Sequence, residues 1–175
     1  ELNLLKNLTR LYLKQHLQLN PRETYWIQAG FENFILMTYV EQFYKDESLI
    51  GKFSKVWGIK TYNLAKLKFN SQYPLTYLHM KRTGRDQALI TSKDSLLKFN
   101  TNLSSKYKAS LGLLYLEDFI EDSKVEDWIK ELVNFPKQEP LTTERFKSYL
   151  KTKTTKDIDW FFDSYLTNAK QIDYK

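Results

Sequence analysis

Residues 23–44 read ETYWIQAGFENFILMTYVEQFY, and this stretch decides the fold. Trp26, Phe31, Phe34, Ile35, Tyr39 and Phe43 recur at intervals that bring side chains back to one side of an α-helix. No proline and no turn dipeptide interrupts them. The stretch therefore predicts one long helix with these six residues as its buried side.

Outward from it the same period continues. On the N-terminal side, Leu2, Leu5, Leu8, Tyr12 and Leu13 form the stripe of a first helix, which stops near Asn20-Pro21. On the C-terminal side shorter helices are expected at 47–57 and 74–82, with a turn at Thr83-Gly84. Ser92 suits the start of a helix running to Phe99, and Asn102 or Ser104 the start of another running to Ile120. Ser123 with Glu126 fits a capping box, in which hydroxyl and carboxylate satisfy each other's backbone donors. That helix carries Val125, Trp128, Ile129 and Leu132 and ends before Pro136. Thr143 and Thr155 are expected to open the last two helices, the second with Ile158, Phe161, Phe162 and Tyr165. Only Ala88-Leu89-Ile90 reads as a short strand. The expected fold class is all-α, in a single helical domain over residues 1–175.

Composition narrows the function classes. Hydrophobic residues make up 42% of the chain, an ordinary share for a packed globular domain and too large for disorder. Aromatic residues reach 15%, so rings are expected to build much of the core. The net charge of +6 invites a nucleic-acid or anionic-membrane reading. The distribution argues against it, because lysines alternate with acids, as in Lys45-Asp46-Glu47 and Lys156-Asp157-Ile158-Asp159. The densest basic stretch, residues 147–156, lacks the stacking platform of single-strand binders. No cysteine is present, which removes disulfides and thiolate chemistry together. Five glycines leave no Gly-rich phosphate loop, and no apolar run approaches the ~20 residues of a membrane span. The chain opens at Glu1, already inside a helical pattern, and reads as a piece of a longer protein whose remainder lies upstream.

The segment Tyr25-Trp26-Ile27-Gln28-Ala29-Gly30-Phe31 resembles the W-x-x-E-G-F segment of aminopeptidase-N-like zinc metallopeptidases, the gluzincins. In that family the Glu is a zinc ligand and follows the zinc-binding H-E-x-x-H after eighteen residues. Ala29 stands at the Glu position. Counting back, the two His positions are Lys6 and Arg10, and the general-base Glu position is Asn7, so H-E-x-x-H reads Lys6-Asn7-Leu8-Thr9-Arg10. Further on, residues 105–111 resemble the Y-x-K-G segment, whose Tyr stabilises the transition state. Either Lys106 or Tyr107 takes that Tyr position, depending on register. Trp160-Phe161-Phe162-Asp163 resembles a W-F-F-E-like segment near the end of the family's catalytic domain. The resemblance implies the helical half of a thermolysin-like domain, with a strand-rich half upstream. The bacterial branches of the family with similar Tyr-, Asn- and Lys-rich sequences further imply a periplasmic or cell-envelope location.

The residues at the matched positions cannot perform the family's chemistry. Lysine at neutral pH has no lone pair to donate, arginine stays protonated, and alanine has no donor atom. Two fixed cations repel a dication instead of holding it. Asn7 does not titrate and cannot act as general base. No zinc, no other cofactor and no peptide cleavage are therefore expected. The expectation is an inactive homologue with a binding or scaffolding role and a protein or peptide partner, without nucleic acid. A surviving groove would be lined by Trp26, Gly30, Glu32 and Tyr107. Lys6 and Arg10 lie one turn apart and face the second helix, where Ala29 leaves room for a long cationic stem. At least one of them is expected to make an ion pair or a carbonyl contact there, with Glu32 the favoured partner. Two alternatives stand beside this reading: a fragment of an active zinc aminopeptidase, and an unrelated helical protein-interaction domain.

Overall fold

The computed structural model describes residues 1–20, 22–45, 47–49, 51, 67–134 and 140–169. Among them the chain is helical and contains no strand. A single antiparallel bridge joins Ser48 to Lys68. The helices are α1 (Leu2–Leu17), α2 (Tyr25–Phe43), α3 (Gln72–Arg82), α4 (Ser105–Ile120), α5 (Val125–Asn134) and α6 (Thr143–Lys151). No described helix is long and apolar enough to cross a membrane.

α2 is the hub. All ten residues from Tyr25 to Phe34 are buried, so this half of the helix is enclosed on every side. Its most extensive neighbour is α4, followed by α1; α3 packs on α4, and α5 touches both α1 and α4. The close α2–α4 crossing depends on Gly30. A methyl group there would lie 3.1 Å from the side chains of both Ala109 and Leu113.

Rings fill the centre. Trp26, Phe31, Trp128, Phe146 and Phe161 are fully buried, in tilted or edge-to-face contacts with centroids 5.7 to 6.4 Å apart. Each such side chain contributes about 1.5–3 kcal/mol by leaving water. The polar edge of Trp26 is satisfied as well, its indole nitrogen donating to Thr143 Oγ1 at 3.0 Å.

Several expectations are corrected. The inward stripe of α1 is Thr9, Leu13 and Leu17, whereas Leu8 and Tyr12 are 56% and 52% exposed. α1 carries apolar residues on two faces, so periodicity alone could not choose between them. Phe43 is likewise exposed and stacks on Tyr39 at the helix end. The helix expected at 47–57 falls mostly outside the described residues, and Ser48, which is described, is in the bridge. Ala88-Leu89-Ile90 forms a turn whose Leu89 N–H donates to the Leu166 carbonyl at 2.8 Å. The helix expected from Ser92 to Phe99 is a single 3₁₀ turn, Lys93–Ser95. Leu96 is extended after it and buries against Tyr25 and Ala29.

The caps also differ. Ser123 Oγ accepts from the Trp128 indole at 2.8 Å, because a buried N–H needs a partner. Glu117 of α4 then caps α5 by accepting from Val125 N at 2.7 Å, so the Ser123–Glu126 box is not used. Thr142, one residue earlier than expected, caps α6. Asp157 Oδ1 accepts from Asp159 N at 2.8 Å and opens the final helical segment.

Candidate functional site

α1 and α2 meet at an ion pair. Arg10 Nε lies 3.2 Å from Glu32 Oε1, and Nε and Nη2 each lie 3.4 Å from Oε2. Glu32 also accepts from Gln28 Nε2, one turn earlier on α2, at 2.8 Å. Its side chain is 5% exposed, while that of Arg10 is 43% exposed. The carboxylate is thus held at the base of the contact and the guanidinium reaches outward. Of Lys6 and Arg10, it is Arg10 that makes the contact expected with Glu32.

A third helix brings Lys106 to the same place. Burial first, and then the nearby charge of Lys6, pull its ammonium down to about 8. Arg10 and Lys93 push in the same direction, and Glu32 opposes them. Lys6 and Arg10 of α1, Glu32 of α2, Lys93 of the 3₁₀ turn and Lys106 of α4 therefore share one electrostatic environment. Lys93 Nζ sits 5.4 Å from the ring centre of Tyr25, within cation–π range. Burial, with Glu32 next, pushes the Tyr25 hydroxyl up to about 12.

A local distortion positions this corner. Residues Asn100–Ser104 form a π-turn leading into α4, in which Ser105 N donates to the Asn100 carbonyl. The Thr101 carbonyl loses its ordinary helical donor and instead accepts from the Tyr25 hydroxyl. The buried Asn100 amide donates to the Arg85 carbonyl and to Gln87 Oε1. The widened turn thereby ties the start of α4 to the start of α2. Single-turn π insertions of this kind concentrate at functional positions.

The matched positions separate into two groups. Lys6, Arg10, Glu32 and Lys106 share the charged cluster, and Ala29 is buried beside Tyr25 and Leu96, one turn before Glu32. Asn7 is solvent-exposed. Tyr107 packs edge-on against Tyr73 of α3 with centroids 4.7 Å apart, so Lys106 and not Tyr107 faces the cluster. Trp26 and Gly30 do not line a groove. The first is enclosed in the aromatic core, and the second is filled by Ala109 and Leu113. A groove of about 300 Å³ does run between α2 and α5, lined by Phe34, Ile35, Thr38, Tyr39, Gln42, Glu126, Ile129 and Lys130, and none of the expected residues is among them.

Lys108, within the 105–111 segment, belongs to a second buried set that no sequence motif announces. Its Nζ is 3.0 Å from Asp86 Oδ2, 3.2 Å from the Gln87 carbonyl and 3.0 Å from the Asn168 carbonyl. Lys81 pairs with the same Asp86 oxygen at 3.1 Å. Tyr165 donates to the Lys108 carbonyl at 2.7 Å. This buried set joins α3, α4 and the C-terminal segment.

Zinc does not fit the residues of the cluster. Its only carboxylate is already engaged by Arg10 and Gln28, and its other charged members are cations. Among the described residues no three His, Cys, Asp or Glu side chains group to hold a metal ion. Of the two histidines, His16 packs on Tyr12 with ring centres 4.4 Å apart, and His79 is exposed. Comparisons with protein-family models, with curated proteins and with solved structures find no match to this chain.

Proposed function

We propose that the chain is an inactive homologue of aminopeptidase-N-like zinc metallopeptidases, retained as a binding module for a protein or peptide. One observation carries the reading. Lys6 and Arg10, at positions matched to the two zinc-site His, and Lys106, one of two candidates for the transition-state Tyr position, share an electrostatic environment with Glu32, one turn from Ala29. The three cations come from two helices separated by up to 100 residues of sequence, and Glu32 comes from a third. Their convergence supports the resemblance over an unrelated helical module. The chemistry at those positions is replaced in kind: cations stand where neutral imidazoles are needed, and an amide stands where a general base is needed.

Thermolysin-like ancestry and loss of activity are then one event. A helix pair once bridged by metal is now bridged by Arg10 and Glu32. Elemental analysis of the purified protein tests this. The expected result is no stoichiometric zinc and no aminopeptidase activity after incubation with zinc. One zinc per chain, lost when Glu32 is changed to Gln, would overturn the reading in favour of a rebuilt metal site.

A further inference from the structure

We infer that the cluster of Lys6, Arg10, Lys93 and Lys106 binds an anionic group carried by a peptide, the carboxylate of an acidic side chain. This deepens the proposed reading, and it rests on that reading for the role of the site as a binding surface.

Charge is unbalanced at the cluster. Lys106 feels the charges of Lys6, Arg10 and Lys93 and of one carboxylate, Glu32, which Arg10 contacts directly. Several lysines elsewhere have carboxylate partners. Lys147 and Lys151 pair with Asp159, Lys153 with Glu131 and Lys156 with Glu121. Lys6 and Lys106 make no hydrogen bond or ion pair with any described residue. Holding like charges together is unfavourable. A second carboxylate arriving from outside would relieve the repulsion that the fold leaves in place.

Access and shape at Arg10 suit a carboxylate. Arg10 commits Nε and Nη2 to Glu32, which leaves Nη1 and the outer edge of a 43% exposed guanidinium facing outward. The planar fork of arginine matches a carboxylate with two parallel donors. Lys106 stands beside it as a point charge on α4, and Lys93 is held in place over Tyr25. The Tyr25 ring is buried with its hydroxyl engaged by Thr101, so the site offers no free platform for stacking bases. That favours a peptide over a single-stranded nucleic acid.

The proton of Lys106 is held weakly because of burial, Lys6, Arg10 and Lys93, with Glu32 alone opposing. An anion bound beside it would strengthen its hold. Binding then takes up protons above pH 8, and affinity falls as pH rises from about 8 towards the ordinary lysine value.

The experiment uses the whole chain in about 50 mM salt and a fluorescent N-acetylated all-glutamate peptide, with an all-glutamine peptide of equal length as the neutral control. Fluorescence anisotropy should show the glutamate peptide binding at least about tenfold more tightly. Lys106→Met should weaken it about fivefold and flatten the fall above pH 8, and Arg10→Met should weaken it by a similar factor. Lys124→Met, an exposed lysine outside the cluster, should leave affinity unchanged. Competition by inorganic phosphate at concentrations matching the peptide would overturn recognition of a carboxylate peptide in favour of any small oxyanion. Tighter binding of a single-stranded oligonucleotide, lost in the same variants, would overturn it in favour of nucleic acid. Equal binding of both peptides, or equal loss in Lys124→Met, would also overturn it. The two proposals fail separately. A zinc-bearing chain that binds the glutamate peptide sinks the pseudopeptidase reading alone, and a zinc-free chain that ignores it sinks this inference alone.

Discussion

Lys106 and Lys108 stand two positions apart on α4, about 200° around the helix, and their surroundings are opposite. Lys108 is 1% exposed, and its ammonium meets one carboxylate and two carbonyls within 3.2 Å. Lys106 is half-buried among Lys6, Arg10 and Lys93, with only Glu32 against them. Burial lowers the proton affinity of both, but Asp86 counters that at Lys108 with a direct contact. The difference teaches how to read a buried cation. One whose donors are all matched holds the fold together, and one left among like charges is open to an incoming partner.

The largest expected effect breaks the matched side. Asp86→Ala leaves Lys81 and Lys108 buried without their shared carboxylate. Removing one member of a buried ion pair costs about 3–5 kcal/mol, so the denaturation midpoint should fall accordingly. A loss under about 1 kcal/mol would mean that Lys108 is no better anchored than Lys106. Gly112→Ala probes the same side, one turn further along α4. A methyl there would lie 2.4 Å from the Tyr165 ring, and that ring cannot retreat without losing its hydrogen bond to the Lys108 carbonyl. Overpacking of this kind costs about 1–3 kcal/mol, read by the same denaturation experiment.

Lys106→Met should act in the other direction. In the folded chain Lys106 loses its proton near pH 8, and in the unfolded chain at about 10.4. Between these values the unfolded state binds more protons, so the stability of the unaltered protein rises with pH. Below pH 8 the charged ammonium opposes folding. Methionine removes that opposition and should stabilise the protein at pH 7 by about 1 kcal/mol, a figure discounted for solvent screening. The gain should shrink through pH 8 and vanish above about pH 10. A loss of stability at pH 7 would show that Lys106 is matched after all.

The sequence carried the helical architecture because the core is made of residues that announce themselves. Trp26, Phe31, Trp128 and Phe161 are large, apolar and correctly spaced. It carried the Arg10–Glu32 pair because both lie one turn from a neighbour on packed helices. It could not separate the faces of α1, where Leu4, Leu8 and Leu11 compete with Leu13 and Leu17. It misplaced Trp26 and Gly30 because a ring and a glycine serve a core and a groove equally well in a pattern. It also missed the continuity from residue 98 through the π-turn into α4, where a buried Asn100 holds together what reads locally as two helix starts. The Lys108–Asp86 contact joins residues 22 apart, and no local rule connects them.

The smallest expected effect concerns the Arg10–Glu32 pair itself. Its distances, 3.2 to 3.4 Å, exceed the ~2.7–2.9 Å of a strong charge-assisted hydrogen bond. Arg10 is also 43% exposed, so water screens it. Glu32 keeps other support when Arg10 is removed, through the Gln28 amide at 2.8 Å and the field of Lys106. A double-mutant cycle with Arg10→Met and Glu32→Gln should therefore give a coupling of only about 0.2–1 kcal/mol. The single change Glu32→Gln should be the more damaging of the two, because it removes the one anion that offsets the cations of the cluster. Lowering the salt concentration should enlarge that damage, since the repulsion it exposes is less screened. A coupling above about 2 kcal/mol would place Arg10 and Glu32 with Lys108 and Asp86 as a structural cross-link. The contrast between the two faces of α4 would then be one of degree, and the case for an open cationic site would lose its foundation.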